Sequence, residues 1–114
     1  MQKKRNIAHA TMNAIDGLKE LILQKAARRE LILAALAIGF FCYRPNVYTV
    51  LIAVLSLVLL AVEALNTAIE KTCDLITLEE HPEIKKIKDL GAAAVMIIIF
   101  AIALIFIRYL SPYF

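Results

Sequence analysis

The sequence has 114 residues, which suits a single domain, and 61% of them are hydrophobic, well above the roughly 45–50% of a soluble domain. The apolar excess is concentrated in blocks, which argues against a soluble fold and favours a membrane protein. The net charge of +3 is modest, and the basic residues alternate with acidic ones around the apolar blocks. We therefore expect no nucleic-acid partner.

The beginning of the chain, residues 2–24, has the pattern of an amphipathic helix. Its apolar residues recur at steps of three and four: Ile7, Ala10, Ala14, Leu18, Leu21 and Ile22. Because apolar blocks follow, we expect this helix to lie in the plane of the membrane surface. Packing of the same face against the cytoplasmic end of another helix is the alternative.

Three apolar blocks come next, at residues 31–43, 47–62 and 91–107. Each is slightly shorter than the roughly 20 residues that cross a bilayer, and each becomes long enough when flanking turns are added. The predicted fold is an all-α integral membrane protein, a helical bundle in a single domain over residues 1–114. We predict three transmembrane helices, at about 29–43, 47–76 and 85–110. The short turn at Arg44-Pro45-Asn46 makes the first two antiparallel neighbours.

The distribution of basic residues predicts the orientation. Seven Lys and Arg residues precede the first span and four lie between the second and third, whereas Arg44 and Arg108 stand alone in the remaining segments. The positive-inside rule therefore places the N-terminus in the cytoplasm and the C-terminus outside. Four residues then form an outer interfacial anchor: Arg108, Tyr109, Tyr113 and Phe114. Cys42 and Cys73 fall near opposite membrane faces, so we expect no disulfide between them.

An acidic stripe follows the second apolar block. At 3.6 residues per turn, Glu63, Asn66, Glu70 and Asp74 lie within roughly 80° of one another around the helix. Acidic groups at the edge of a membrane segment are costly and usually mark function. The alternative is that these residues begin a solvated cytoplasmic helix.

Two further acidic features lie near the same membrane face. Glu30 begins the first span directly after Arg28 and Arg29, where it either pairs with a neighbouring arginine or serves a site. The connection at 77–83 is acidic and broken by Pro82, so we expect a surface loop that can line a polar site.

Three kinds of function fit carboxylates and lysines at a membrane boundary. The first is phosphoryl transfer, with Glu70 and Asp74 holding Mg²⁺, Lys88 neutralising phosphate charge and Glu63 acting as a base. The second is ion or proton transport through Glu63. The third is a non-catalytic membrane subunit whose acids pair with a partner. The sequence contains no glycine-rich phosphate loop, so we do not expect a soluble nucleotide-binding fold.

Two segments carry a resemblance to a known family. Glu63-x-x-Asn66-Thr67-Ala68-Ile69-Glu70-x-x-x-Asp74, followed by Lys88-Asp89-x-Gly91-Ala92-Ala93, closely resembles the prokaryotic diacylglycerol kinase family, which also includes the undecaprenol kinases. The similarity extends over the whole chain. It implies a homotrimeric kinase of the bacterial inner membrane, with active sites shared between subunits and with ATP and Mg²⁺ as co-substrate and cofactor.

The resemblance also implies residue roles. Glu63 is the expected catalytic base, and Asn66 and Glu30 are expected to contact the lipid beside it. Glu70 is an expected metal ligand near the nucleotide. The remaining residues of the expected nucleotide site are Asp74, Glu79, Glu80, His81, Lys88 and Asp89.

The chain departs from the family pattern at its N-terminal side. Gln24 stands where the family usually has a second metal-binding glutamate, six residues before the position of Glu30. Its amide oxygen can still bind a hard cation, but without charge. Three alternatives stay open. The affinity for the metal is lower, or a shift of the helix brings another group to the metal, or the protein is a degenerate, inactive member of the family. Arg5 lies one position out of register with the family's N-terminal arginine, which leaves its role open.

The lipid substrate is suggested by local similarities that point in two directions. Residues 67–71 and the His81-Pro82 loop look more like the undecaprenol kinases, whereas residues 88–93 look more like the diacylglycerol kinases. We expect diacylglycerol, converted to phosphatidic acid, with undecaprenol as the alternative.

Overall fold

The computed structural model describes residues 6–111, and this part of the chain is helical, without a β-strand. Its helices are α1 (Ile7–Ile22), α2 (Lys25–Tyr43), α3 (Val47–Ile76) and α4 (Pro82–Leu110). The prediction of an all-α protein is therefore confirmed. Three residues named in the sequence analysis lie outside the described residues. They are Arg5, whose role is open, and Tyr113 and Phe114, which belong to the predicted outer anchor.

Helix α3 covers the same residues, 47–76, as the second predicted span. A capping box fixes its start. The side chain of Asn46 accepts hydrogen bonds from the N–H groups of Tyr48 and Thr49, at 2.9 and 3.0 Å, and the Thr49 hydroxyl accepts one from the Asn46 N–H at 3.0 Å. The helix then continues without interruption because its sequence contains neither glycine nor proline.

Helices α2 and α4 begin earlier than the apolar pattern predicts. Helix α2 starts at Lys25 instead of near residue 29, and α1 ends at Ile22, before Gln24. Helix α4 starts at Pro82 instead of near residue 85. Proline suits the first turn of a helix, and the His81 Nδ1 atom caps this turn by accepting a hydrogen bond from the Glu83 N–H at 3.1 Å. Apolar periodicity does not detect such polar first turns.

Two of the four described helices, α3 and α4, are long and apolar enough to cross a membrane, with mean hydropathies of 2.4 and 3.0. Helix α2 is less apolar because its first two turns carry Lys25, Arg28, Arg29 and Glu30. The structure therefore shows two candidate spans, whereas the sequence predicts three.

Helix α3 lies between α2 and α4 and packs against both. The buried positions are dominated by small side chains, including Ala27, Ala34, Ala37, Thr49, Ala53, Ser56 and Gly91. Small residues allow helix backbones to approach closely where lipid replaces water. In the small-residue run at 91–94, Gly91 is buried against α3, whereas the three alanines after it are exposed. Much of the apolar surface of α4 is likewise exposed, including Met96, Ile97 and Phe100.

Aromatic residues and an arginine cluster at the end of the bundle where α3 begins. The rings of Phe40 and Tyr109 meet edge to face at 5.6 Å, and Tyr48 lies 6.2 Å from Tyr109. The Arg108 guanidinium lies 5.2 Å from the centre of the Tyr48 ring. Aromatic rings beside a basic group are typical of a membrane–water boundary.

Candidate active site

Helix α3 places the acidic stripe along a gradient of burial. Glu63 and Asn66 are 6% and 8% exposed, whereas Glu70 and Asp74, one to three turns further on, are exposed. The alternative of a uniformly solvated helix is therefore wrong for its first two members. A buried carboxyl and a buried amide at the end of an apolar helix segment require polar partners.

Helix α2 supplies one of these partners. The carboxyl group of Glu30 lies near that of Glu63, close enough for their charges to interact. Glu30 is half-buried and forms no salt bridge within residues 6–111, and its Oε2 atom is buried without a hydrogen-bond donor. Two neighbouring carboxyl groups offer acceptors to a donor from another molecule.

Asn66 is packed against helix α4. A Cβ atom built on Gly91 would overlap the Asn66 Oδ1 atom, so the amide occupies the space that this glycine leaves open. That Oδ1 atom is buried and has no hydrogen-bond partner in the described part of the chain. Glu30 Oε2 and Asn66 Oδ1 are thus two buried acceptors without a donor in the described residues, the first on α2 and the second against α4.

A second polar group joins α3 to α4 closer to the helix ends. The Lys88 Nζ atom donates to Asp74 Oδ1 at 2.9 Å, and one turn away Lys85 donates to Asp89 at 2.7 Å. The structure thus brings Asp74 of α3 into contact with Lys88 of α4, two residues of the expected nucleotide site, whereas Asp89 pairs with Lys85. Both pairs are partly exposed to solvent, so incoming phosphates can compete for the two ammonium groups.

The α3–α4 connection and the first turns of α4 line a cleft of about 650 Å³. Its wall includes the five expected nucleotide-site residues that follow α3: Glu79, Glu80, His81, Lys88 and Asp89. The His81 Nδ1 atom is engaged in the helix cap, which makes Nε2 the donor-bearing nitrogen of the neutral ring. A cleft of this size can hold a small molecule, and its lining carries Lys85 and Lys88 beside three acidic residues.

The expected metal ligands lie apart. Glu70 is exposed on α3, Gln24 is half-buried at the start of α2, and no hydrogen bond joins them in the described residues. Residues 6–111 also contain no cluster of three or more His, Cys, Asp or Glu side chains that could hold a metal ion. Both side chains carry oxygen donors, which suit Mg²⁺ when substrate phosphates supply further oxygens.

A mostly apolar groove of about 670 Å³ runs between α1 and α3. Its lining includes Leu18, Gln24 and Thr67, and a salt bridge of 3.7 Å between Glu20 and Lys71 crosses it. No residue of α1 is fully buried, so its apolar side chains are available to a membrane surface. The groove reaches Glu63 through Thr67, whose hydroxyl donates to Glu63 Oε2 at 3.4 Å.

The sequence analysis gives no role to Thr67 or to Gly91 beyond their places in the family motifs. Both stand inside the two motifs, next to Asn66 and three residues after Lys88. Their positions in those motifs were the available signal. Their contacts with Glu63 and Asn66 depend on side-chain direction and helix crossing, which motif spacing does not contain.

Comparisons with known proteins identify the family of this chain. Residues 12–110 match the family described as prokaryotic diacylglycerol kinase. The chain is 37% identical over 106 residues to a diacylglycerol kinase of Sinorhizobium sp., covering 89% of this chain and 77% of the relative. It is 34% identical over 93 residues to a diacylglycerol kinase of Pseudomonas aeruginosa, covering 79% and 76% respectively.

The family match and the two long apolar helices therefore define a membrane-associated lipid kinase. The chain is a member of the prokaryotic diacylglycerol kinase family. Membership implies an enzyme that uses a nucleotide as phosphoryl donor.

Proposed function

We propose that this protein transfers the γ-phosphoryl group of ATP to the primary hydroxyl of diacylglycerol and releases phosphatidic acid and ADP. The observation that carries this proposal is the buried carboxyl group of Glu63 at the end of an apolar helix segment, with the half-buried Glu30 of α2 close to it. Carboxyl oxygens at this position suit a hydroxyl donor that arrives from the membrane. The cleft at the start of α4, whose lining includes Lys85 and Lys88, lies further along the same end of the bundle.

Glu63 is the proposed general base. It takes the proton from the lipid hydroxyl as the oxygen forms a bond to the γ-phosphorus and the bond from that phosphorus to the bridging oxygen of ADP breaks. Glu30 and the Asn66 amide oxygen are proposed to accept hydrogen bonds from the lipid head group and so hold it against Glu63. The free hydroxyl of diacylglycerol can donate a hydrogen bond, and the carboxyl and amide oxygens of Glu30 and Asn66 can accept one.

The nucleotide is proposed to bind in the cleft beside Lys88. This lysine exchanges its contact with Asp74 for a phosphate oxygen, while Asp74, Asp89 and the loop residues Glu79, Glu80 and His81 contact the rest of the nucleotide. Glu70 and Gln24 would hold Mg²⁺, which, when bound, neutralises phosphate charge. Glu70 is positioned for this on the same face of α3 as Glu63 and Asp74.

The proposed placement is multi-pass in the bacterial inner membrane, with α2, α3 and α4 spanning and α1 on the cytoplasmic surface. In this placement residues 1–114 form one domain, with the N-terminus inside and the C-terminus outside. The exposed apolar surface of α4 supports contact with lipid or with other copies of the chain. A homotrimer with shared active sites, as the family resemblance implies, would cover part of it.

Phosphate transfer from labelled ATP tests the proposal directly. Diacylglycerol and undecaprenol are offered side by side in mixed micelles with Mg²⁺, and Glu63→Gln serves as the matched variant because it keeps the side-chain size. We expect labelled phosphatidic acid from the wild type and none from the variant. Labelled undecaprenyl phosphate in its place would reassign the substrate to the second lipid. Absence of both products from a folded wild type would overturn the kinase proposal.

A further inference from the structure

Thr67 differs from the other Ser and Thr residues in the interior of the described helices; Thr49, in the first turn of α3, bonds to the Arg44 and Asn46 carbonyls. The hydroxyls of Thr11, Ser56 and Thr72 each donate to the main-chain carbonyl four residues earlier, at 2.7–2.8 Å. This is the usual local bond of such residues in a helix. Thr67 does not make it; its hydroxyl reaches the side chain four residues earlier, Glu63 Oε2, at 3.4 Å. A distance of this length can shorten when substrate closes the site.

The contact matters because Glu63 has few ways to be held in place. Its side chain is buried, the Thr67 hydroxyl is the hydrogen-bond donor recorded for it in the described residues, and the nearby Glu30 is another carboxyl group that itself has an unsatisfied oxygen. A hydroxyl donor on one oxygen restricts the carboxylate to one rotamer and directs the second oxygen elsewhere. Proton transfer is sensitive to this geometry, since a base must lie within hydrogen-bond reach of its proton.

We propose that Thr67 is a positioning residue for the catalytic base. Its hydroxyl donates to Glu63 Oε2 and so leaves Oε1 aimed at the lipid hydroxyl. This inference rests on the proposed role of Glu63 as the base. Thr67 also lines the groove beneath α1, where its methyl group forms part of the wall. The hydroxyl and the methyl group therefore have separate functions, which substitutions can distinguish.

The test compares turnover of Thr67→Val and Thr67→Ser with labelled ATP and diacylglycerol in mixed micelles. Valine keeps the shape of the groove wall and removes the donor; serine keeps the donor and removes the methyl group. We expect Thr67→Val to lower kcat by about tenfold or more, with the KM values of both substrates within about twofold of wild type. We expect Thr67→Ser to retain kcat within about threefold, because the donor remains.

Thr72→Val is the matched control on the same helix, because the Thr72 hydroxyl donates to the Ala68 carbonyl and the residue is exposed. We expect it to leave kcat and KM unchanged. Should valine at position 67 prevent folding, Thr67→Ala gives the same comparison with serine. Retained kcat in a folded Thr67→Val or Thr67→Ala protein would overturn the inference, as would a loss confined to the KM for lipid.

Failure of this inference can be told apart from failure of the proposed function. If Glu63→Gln is inactive while Thr67→Val matches the wild type, Glu63 is the base and Thr67 does not position it. If Glu63→Gln retains full turnover, the proposed base itself is wrong and the Thr67 inference falls with it.

Discussion

Gly91 of α4 lies directly against the side chain of Asn66 of α3, and a Cβ atom at position 91 would overlap the Asn66 amide oxygen. The contact joins two parts of the proposed active site. Asn66 lies beside Glu63, and Gly91 lies one turn after Lys88 at the nucleotide cleft. Because Gly91 of α4 has no side chain, the amide of Asn66 on α3 can occupy the space beside it.

Replacing Gly91 by alanine is therefore expected to displace Asn66. We expect Gly91→Ala to reduce stability by about 1–3 kcal/mol, as overpacking does in a close contact, and to lower lipid kinase turnover more than tenfold. Gly39→Ala is the control, because a Cβ there meets nothing within 4 Å and alanine is the better helix former by up to about 1 kcal/mol. Thermal unfolding in detergent and turnover measure both effects. Equal behaviour of the two variants would contradict the role of this contact.

The ion pair between Lys88 and Asp74 gives a second prediction. We expect Lys88→Met to raise the KM for ATP about tenfold or more, because a phosphate-neutralising charge is lost, while the KM for lipid changes little. Stability should change by less than about 1 kcal/mol, since exposed ion pairs contribute little.

Lys86→Met is the matched control for that charge. Lys86 pairs with Glu83 at 3.4 Å on the same helix, and the pair is well exposed. Its removal should change neither KM value, although it lowers the net charge by the same amount. If Lys86→Met and Lys88→Met raised the KM for ATP equally, a general charge effect would explain the result and the specific role of Lys88 would be wrong.

The sequence alone predicted the helical fold better than it predicted the contacts between helices. The acidic stripe on α3 follows from helix geometry, and Asn46 together with the uninterrupted sequence defines the extent of α3. Contacts between helices, such as Glu30 with Glu63 or Gly91 with Asn66, depend on how each helix is rotated and where it crosses its neighbour. Spacing within one helix contains no such information.

The facing carboxyl groups of Glu30 and Glu63 predict a conflict between stability and activity. Glu30→Gln replaces one acid by an amide that can donate to Glu63, and we expect the free energy of unfolding to rise by about 0.5–1.5 kcal/mol. The same change removes a proposed acceptor for the lipid, so kcat/KM should fall more than tenfold. The increase in Tm and the turnover are measured on one preparation. The exposed Asp16→Asn variant is the control and should alter neither; a less stable Glu30→Gln protein would contradict the prediction.

Gln24 gives a prediction about the metal. Gln24→Glu adds a carboxylate at the proposed Mg²⁺ ligand position, so we expect the Mg²⁺ concentration for half-maximal turnover to fall several-fold. Glu70→Gln should raise it. Direct Mn²⁺ binding, followed by electron paramagnetic resonance with bound nucleotide, provides a readout apart from turnover. Asn13→Asp adds the same charge at an exposed position on α1 and should leave both measurements unchanged. An unchanged affinity in Gln24→Glu would remove Gln24 from the metal site.

The two free cysteines allow a test of whether α2 crosses the membrane. Cys42 is exposed near the end of α2, beside the Arg44 turn, whereas Cys73 is buried near the far end of α3. If α2 spans with the proposed orientation, a membrane-impermeant thiol reagent should label Cys42 in intact spheroplasts and should fail to do so in inside-out vesicles. Cys42→Ser should abolish the spheroplast labelling, and Cys73→Ser should retain it. Labelling of Cys42 from the cytoplasmic side would place the turn inside and contradict the three-span arrangement, because the charges at the start of α2 would then lie on the wrong face.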